Sequence, residues 1–310
     1  MRIVIEGCDC TGKTVFAHKL AKYAAELYGK SITMEHEGLP PHDVNLFEHY
    51  ALKALTFDNC IHDRLHLGER TYGEIYRNND RLGPIGQHIV DHIIASEGFG
   101  VICTRPFHEV EKIWSKRKHA EYVKDLEALK CIHAAYDEYA DGLHWLIIDP
   151  TNEKDQIIVR ARLKHLHDHN KLIPFVWGVG PSTAETLIVG EMSNHPTWDL
   201  PFFSTSGSSA YLINTLMSLK IGHNYYLTNA MRKDGEPRVM KPIINSLKNL
   251  KRVFALGATA TKEMQKQGVP HLSIPHPQYY HRFKHTEAAE YRKLFKIGME
   301  ANNAALLRLL

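Results

Sequence analysis

Little in this chain of 310 residues points to secretion or a membrane. Cysteine is scarce. Cys8, Cys10, Cys60, Cys103 and Cys131 all lie in the first half, and an odd count without a Cys-x-x-Cys pair excludes a disulfide framework and a cysteine zinc site. Reduced thiols of a cytosolic compartment are expected instead. No apolar run is long enough to span a bilayer, and a strand-like segment begins at residue 2, so neither a membrane partner nor a signal peptide is expected. Charge of one sign is also lacking: 38 Lys and Arg face 35 Asp and Glu, for a formal +3. That is too little to announce nucleic acid, although 21 histidines add positive charge below neutral pH. There is no internal repeat and no low-complexity segment. What remains, 44% hydrophobic and 24% charged residues, is an ordinary globular composition in a chain long enough for two cores.

Residues 7–14, Gly7-Cys8-Asp9-Cys10-Thr11-Gly12-Lys13-Thr14, form a phosphate-binding loop of the pattern G-x-x-x-x-G-K-T. Its context is right: Arg2–Glu6 is short and β-branched, and Val15–Leu27 carries Ala, Leu and Lys at helical spacing. The two glycines let the backbone curl so that successive N–H groups point at phosphate oxygens. Lys13 supplies a mobile cation, and Thr14 offers its hydroxyl to the Mg²⁺ of a bound nucleoside triphosphate. Cys8 and Cys10 read as small fillers of the loop.

The alternation continues. Strands are expected at 31–34, 59–62, 100–103 and 145–149, with long helices at 82–96 and 120–139, an order that implies a parallel sheet wound with helices. The polar, histidine-rich end of a charged helix, Lys164–Asn170, reads as a solvated connector rather than a metal site. The domain boundary is placed there, giving domains at 1–165 and 172–310. A second α/β rhythm then starts afresh, with strands at 186–190, 225–229, 253–257 and 271–274 and helices ending near Leu219, at 241–250 and at 259–267. A helical tail runs from Thr286.

Asp63-Arg64 closes the third strand, the edge where ligands of open parallel sheets collect. A carboxylate there can orient or deprotonate an acceptor hydroxyl while the guanidinium neutralises phosphate charge. Lys112–Lys118 adds a basic, lid-like cluster that includes Arg117. Together, Glu6-Gly7-x-Asp9-x-x-Gly12-Lys13-Thr14, Asp63-Arg64 and Gly68-Glu69-x-x-Tyr72-Gly73 resemble the thymidylate kinase-like branch of P-loop kinases over roughly the first 150 residues. The resemblance implies ATP and Mg²⁺ as donor, Asp9 and Asp63 on the acceptor, Asp63 as base, and Arg64, Arg117 and Arg105 on phosphate. The sparse arginine of the lid departs from that branch.

In the second half, Leu187–Glu191, Leu200-Pro201-Phe202, Ser206-Gly207, Tyr226–Asn229, Leu256-Gly257-x-x-Ala260 and His276-Pro277 are similar, in order, to the uracil-DNA glycosylase superfamily. That implies a base-reading Glu191, a stacking Phe202, a base-edge contact from Asn229 and a His276 loop near the strand being read. Met192-Ser193-Asn194-His195 replaces the water-positioning segment of those enzymes, and Asp199 is the displaced candidate activator. Recognition without excision is therefore expected.

The expected fold is α/β: a P-loop kinase parallel sheet with helices on both faces, then a smaller α/β glycosylase-like domain. The pairing resembles the bacteriophage 5-hydroxymethyluracil DNA kinases. It implies phosphorylation of the 5-hydroxymethyl group in DNA containing that base, as a step of thymidine hypermodification that evades restriction in the cytoplasm of an infected bacterium. A kinase for free deoxynucleoside monophosphates and a glycosylase with an accessory NTPase are the alternatives. Related kinases often dimerise through helices beside the sheet, so a homodimer stays open.

Overall fold

The computed structural model describes all residues except 39, 41–42, 57, 118–122, 143–144, 170–176, 194–198, 203, 301 and 304–310. The chain divides into two compact units, Met1–Asn170 and Lys171–Leu310.

In the first unit five parallel strands, β1 (Arg2–Glu6), β2 (Thr33–His36), β3 (Cys60–Asp63), β4 (Gly98–Cys103) and β5 (Leu146–Ile148), are ordered β2-β3-β1-β4-β5. β1 is central and wholly buried, as its β-branched run requires. Even its Arg2 is buried, held by the Leu55 carbonyl at 2.7 Å and the Asp58 carboxylate at 3.0 Å. Period-two alternation splits the core. Ile3, Ile5, Val101 and Cys103 pack with Phe16, Leu20, Val159 and Leu163 of α1 (Lys13–Tyr28) and α7 (Glu153–His169). On the opposite face Ile102 packs with Tyr72, Trp114, Leu129 and Tyr136. Those side chains come from α3 (Leu67–Arg77), α5 (Phe107–Arg117) and α6 (Leu126–Gly142). Two further helices, α2 (Leu46–Thr56) and α4 (Gly83–Glu97), complete the unit.

Several boundaries move from those the sequence suggests. β2 forms two residues later than expected, and its register sets His36 opposite Asp63. α6 starts at Leu126 because Asp125 caps it, accepting from the Glu127 and Ala128 amides. The first residues expected in that helix, 120–122, lie outside the described residues.

The second unit has a four-stranded parallel sheet, ordered β7-β6-β8-β9. Its strands are β6 (Thr186–Gly190), β7 (Tyr225–Asn229), β8 (Arg252–Leu256) and β9 (Leu272–Ile274). One face buries Leu187, Val189, Val253 and Ala255 against Ile243, Ile244, Ala260 and Met264 of α9 (Lys241–Ser246) and α10 (Gly257–Lys266). On the other face Phe254 meets Phe295 at 5.2 Å, and Tyr291 touches Tyr211 and Tyr280. These join α8 (Gly207–Ser218), α11 (Pro277–Phe283) and α12 (Ala288–Met299). α9 stops at Ser246, short of the expected Leu250. The Ser246 hydroxyl bonds the Ile243 carbonyl at 2.6 Å and Leu247 turns to extended backbone. No described helix is long and apolar enough to cross a membrane.

Candidate active site and base pocket

The loop after β1 folds as its glycines dictate. Gly7 has φ +137° and a Cβ there would stand 2.3 Å from the Cys103 carbonyl oxygen; Gly12 has φ +93° and ushers the chain into α1. Cys8, Cys10 and Thr11 are buried within the loop. Thr11 donates its hydroxyl to the Cys8 carbonyl at 2.9 Å, and burial pushes the Cys8 thiol up to about 12, so it is an inert filler. Lys13 Nζ donates to the same carbonyl at 2.7 Å. Burial, reinforced by Arg64, lowers the pKa of this lysine.

A cavity of about 470 Å³ opens over the loop, lined by Lys13, Thr14, Asp9, Asp63, Arg64 and Arg117, with His36 at its rim. The curled glycines, the lysine and the helix start suit a chain of phosphates, and the Thr14 hydroxyl is the group that would hold a nucleotide-bound magnesium. Arg117, the last residue of α5, reaches this cavity; Lys118 of the same basic cluster lies outside the described residues. Arg105 does not line it. Its guanidinium pairs with Glu109 at 2.5 Å and lies 3.8 Å from Asp149.

Asp63, at the end of β3, is buried. Its Oδ2 accepts the Thr14 hydroxyl at 2.6 Å and lies 3.3 Å from His36 Nδ1, while Oδ1 is buried without a hydrogen-bond partner. The carboxylate expected to take the acceptor's proton lines the cavity, although it is almost wholly buried. Arg64 follows in the left-handed region at φ +74°, a strained conformation for a residue with a side chain. The strain aims its guanidinium at Asp9, with which it forms an ion pair, and over the Tyr72 ring at 5.0 Å. Tyr72 donates to Asp9 Oδ1 at 3.2 Å, and Asp9 Oδ2 is buried and unpartnered. Burial alone would raise the Asp9 pKa, but Arg64 and Lys13 outweigh it and hold the carboxyl below its ordinary range.

Beyond Arg64 a second cavity, about 170 Å³, is lined by Glu37, Tyr50, Leu65, Glu69, Tyr72 and Arg77 among others. Glu37 is engaged by Lys53 and by His49 at 2.9 Å. Glu69 is engaged by Arg77 and by Arg81 at 2.9 Å. The charge-paired Glu37 and Glu69 thus flank two tyrosines in a mostly apolar lining, a compartment of the size of a small planar ring. Tyr72 stood in the sequence motif without a role; Glu37 and Tyr50 came from segments that carry no motif, and only folding brings them here.

In the second unit two of the expected residues, Phe202 and Asn229, meet over Gly190. A Cβ on Gly190 would lie 2.7 Å from Asn229 Oδ1 and 2.8 Å from the Phe202 ring. Phe202 holds φ +53° to reach this place, and Asn229 Nδ2 is buried without a partner. Glu191 accepts from Thr259 at 2.9 Å. His276 caps α11 by accepting the Gln278 amide at 3.2 Å, and sits against Gly257, whose Cβ would be 2.9 Å from it. Burial lowers its pKa, opposed by Glu191. Asp199 is tied to the buried Arg238 at 2.6 Å, so the displaced activator serves an ion pair in this geometry. Of the segment that follows Glu191, Asn194 and His195 lie outside the described residues. No group of three or more potential metal ligands occurs among the described residues.

The first unit therefore has the architecture of the P-loop kinase fold. No family model matches the chain, and no curated protein matches it. Among solved structures it is similar to the YorR protein from Bacillus subtilis, in complex with phosphorylated GDP, at 22% identity over 55% of this chain and 99% of that one, with a TM-score of 0.45. It is also similar to deoxyadenosine kinase from M. mycoides, in one structure with the products dCMP and dCDP and in another with dATP. The first is 14% identical over 53% of this chain and 98% of the other (TM-score 0.35), the second 15% over 52% and 98% (TM-score 0.33).

Proposed function

We propose that the chain is an ATP-dependent kinase whose acceptor is the 5-hydroxymethyl group of 5-hydroxymethyluracil in DNA. The observation that carries this reading is the pairing of two kinds of site. The first unit has a phosphate-loop cavity that adjoins a small ring-sized compartment across Arg64. The second gathers Gly190, Phe202 and Asn229 around one unpartnered amide. An aromatic face beside an amide donor suits a pyrimidine taken out of the stack, whose unpairing costs a few kcal/mol that such contacts offset. Magnesium on the triphosphate supplies charge neutralisation at the transferring group. The chain's own part is to hold the phosphates on the loop amides and Lys13 and to bring Arg64 and Arg117 to the developing charge.

A kinase for free deoxynucleoside monophosphates is the second reading, supported by the fact that the ring-sized compartment is complete within the first unit. Glycosylase activity gains no support from Asp199, which is held by Arg238. Incubation with γ-³²P ATP separates the three. Label in 5-hydroxymethyluracil DNA is the expected result. Label only in free nucleotides would reject the DNA acceptor, and release of free base without ATP would reject the kinase.

A further inference from the structure

The two cavities of the first unit share two residues, Arg64 and His36. A group at that junction faces both the donor phosphates and the acceptor, the place where a proton must be taken as the phosphoryl group moves. Arg64 is a permanent cation and has no lone pair to accept a proton. Asp63 is near at hand but 2% exposed, with Oδ2 shared by Thr14 and His36 and Oδ1 enclosed. His36 is the opposite case: its side chain is 64% exposed. The β2–β3 register sets it opposite Asp63, and Nδ1 lies 3.3 Å from the carboxylate. A carboxylate on Nδ1 selects the tautomer with its proton there and leaves the Nε2 lone pair to accept one.

We propose that His36 is the catalytic base of phosphoryl transfer and that Asp63 is the residue that positions it, a reading that rests on the kinase function above. The acceptor hydroxyl gives its proton to His36 Nε2 as its oxygen forms a bond to the γ-phosphorus. The bond from that phosphorus to the β,γ-bridging oxygen breaks, and its electron pair leaves on ADP. The imidazolium then returns the proton to solvent, which its exposure permits.

The test uses the full chain, wild type and the variants His36→Ala and His36→Gln, with γ-³²P ATP and three acceptors: 5-hydroxymethyluracil DNA and 5-hydroxymethyl-dUMP, which carry the primary alcohol, and dTMP, whose acceptor would be its 5′-phosphate. A fluorescent ATP analogue reads nucleotide affinity separately. Both variants are expected to lose about a hundredfold or more in kcat on whichever alcohol the wild type uses, with nucleotide affinity unchanged. Added imidazole is expected to restore transfer in His36→Ala and not in His36→Gln, because only the former leaves room for a free base. Transfer within about threefold of wild type in His36→Gln overturns the proposal; so does a loss that imidazole does not relieve, or one matched by a loss of nucleotide affinity. Label on dTMP alone would place the acceptor on a phosphate oxygen that carries no hydroxyl proton, and would overturn both the DNA acceptor and the role of His36. Transfer to none of the three overturns the proposal together with the function it rests on.

Discussion

At the scale of single residues, the first unit hides a titratable group in its central sheet. His62 on β3 is 1% exposed. Burial, reinforced by Lys53, lowers its pKa to about 4 from an ordinary 6.5. The folded state therefore resists a proton that the unfolded chain accepts. The stability this neutral imidazole supports is complete above pH 6.5 and is lost as pH falls toward 4, by about 3 kcal/mol in all. Urea unfolding at pH 7 and pH 4.5 should show wild type losing stability over this range. The His62→Gln variant should lose markedly less, and an equal loss in both would place the acid sensitivity elsewhere. Gly7 makes the same kind of statement in steric terms. It is glycine because its φ and the Cys103 carbonyl leave no alternative, so the phosphate loop's shape is written into one missing methyl.

At the scale of elements, the carboxyl ends of β6 and β7 bring Gly190, Asn229 and Phe202 into close approach, the place where we propose a base is read. Gly190→Ala would drive a methyl into Asn229 and Phe202, at 2.7 and 2.8 Å. We expect this variant to lose tenfold or more in DNA affinity while binding ATP as wild type does, measured by fluorescence anisotropy and by nucleotide titration. Retained DNA affinity would remove that pocket from the recognition surface. All nine described strands fall within two residues of where the sequence suggests, since short apolar, β-branched runs between helical patterns have few other uses. α2 was legible in principle: Leu46, Phe47, Tyr50, Ala51, Ala54 and Leu55 are buried on one helical face, but no motif drew attention to it. His36 was not legible. Its role depends on a two-residue shift of β2 and on the parallel register with β3, and neither is encoded locally. The same holds for Asp63: the sequence places it at a ligand-collecting edge, while only the fold shows Thr14 and His36 enclosing it.

At the scale of the whole chain, two units with separate hydrophobic cores imply that a lesion in one site spares the other. Lys13→Ala should abolish phosphoryl transfer and leave DNA affinity nearly intact, since the lysine's contacts all lie in its own loop and cavity. Filter binding and label transfer on the same preparation check this, and parallel loss of both would refute the division of labour.

The Glu6 carboxylate, wholly buried at the end of β1, bears on how this unit can change. One oxygen accepts the Leu65 and Leu67 amides at 2.8 and 3.2 Å, the other the Tyr136 hydroxyl at 3.0 Å. The residue that launches the phosphate loop therefore also pins the backbone just past Asp63-Arg64 and the helix α6 behind it. Donor loop and acceptor motif are moored to one post. A substitution that remodels either segment to suit a new substrate must be accommodated by the other, so specificity in this unit is free to drift along the walls of the ring compartment but not along its floor.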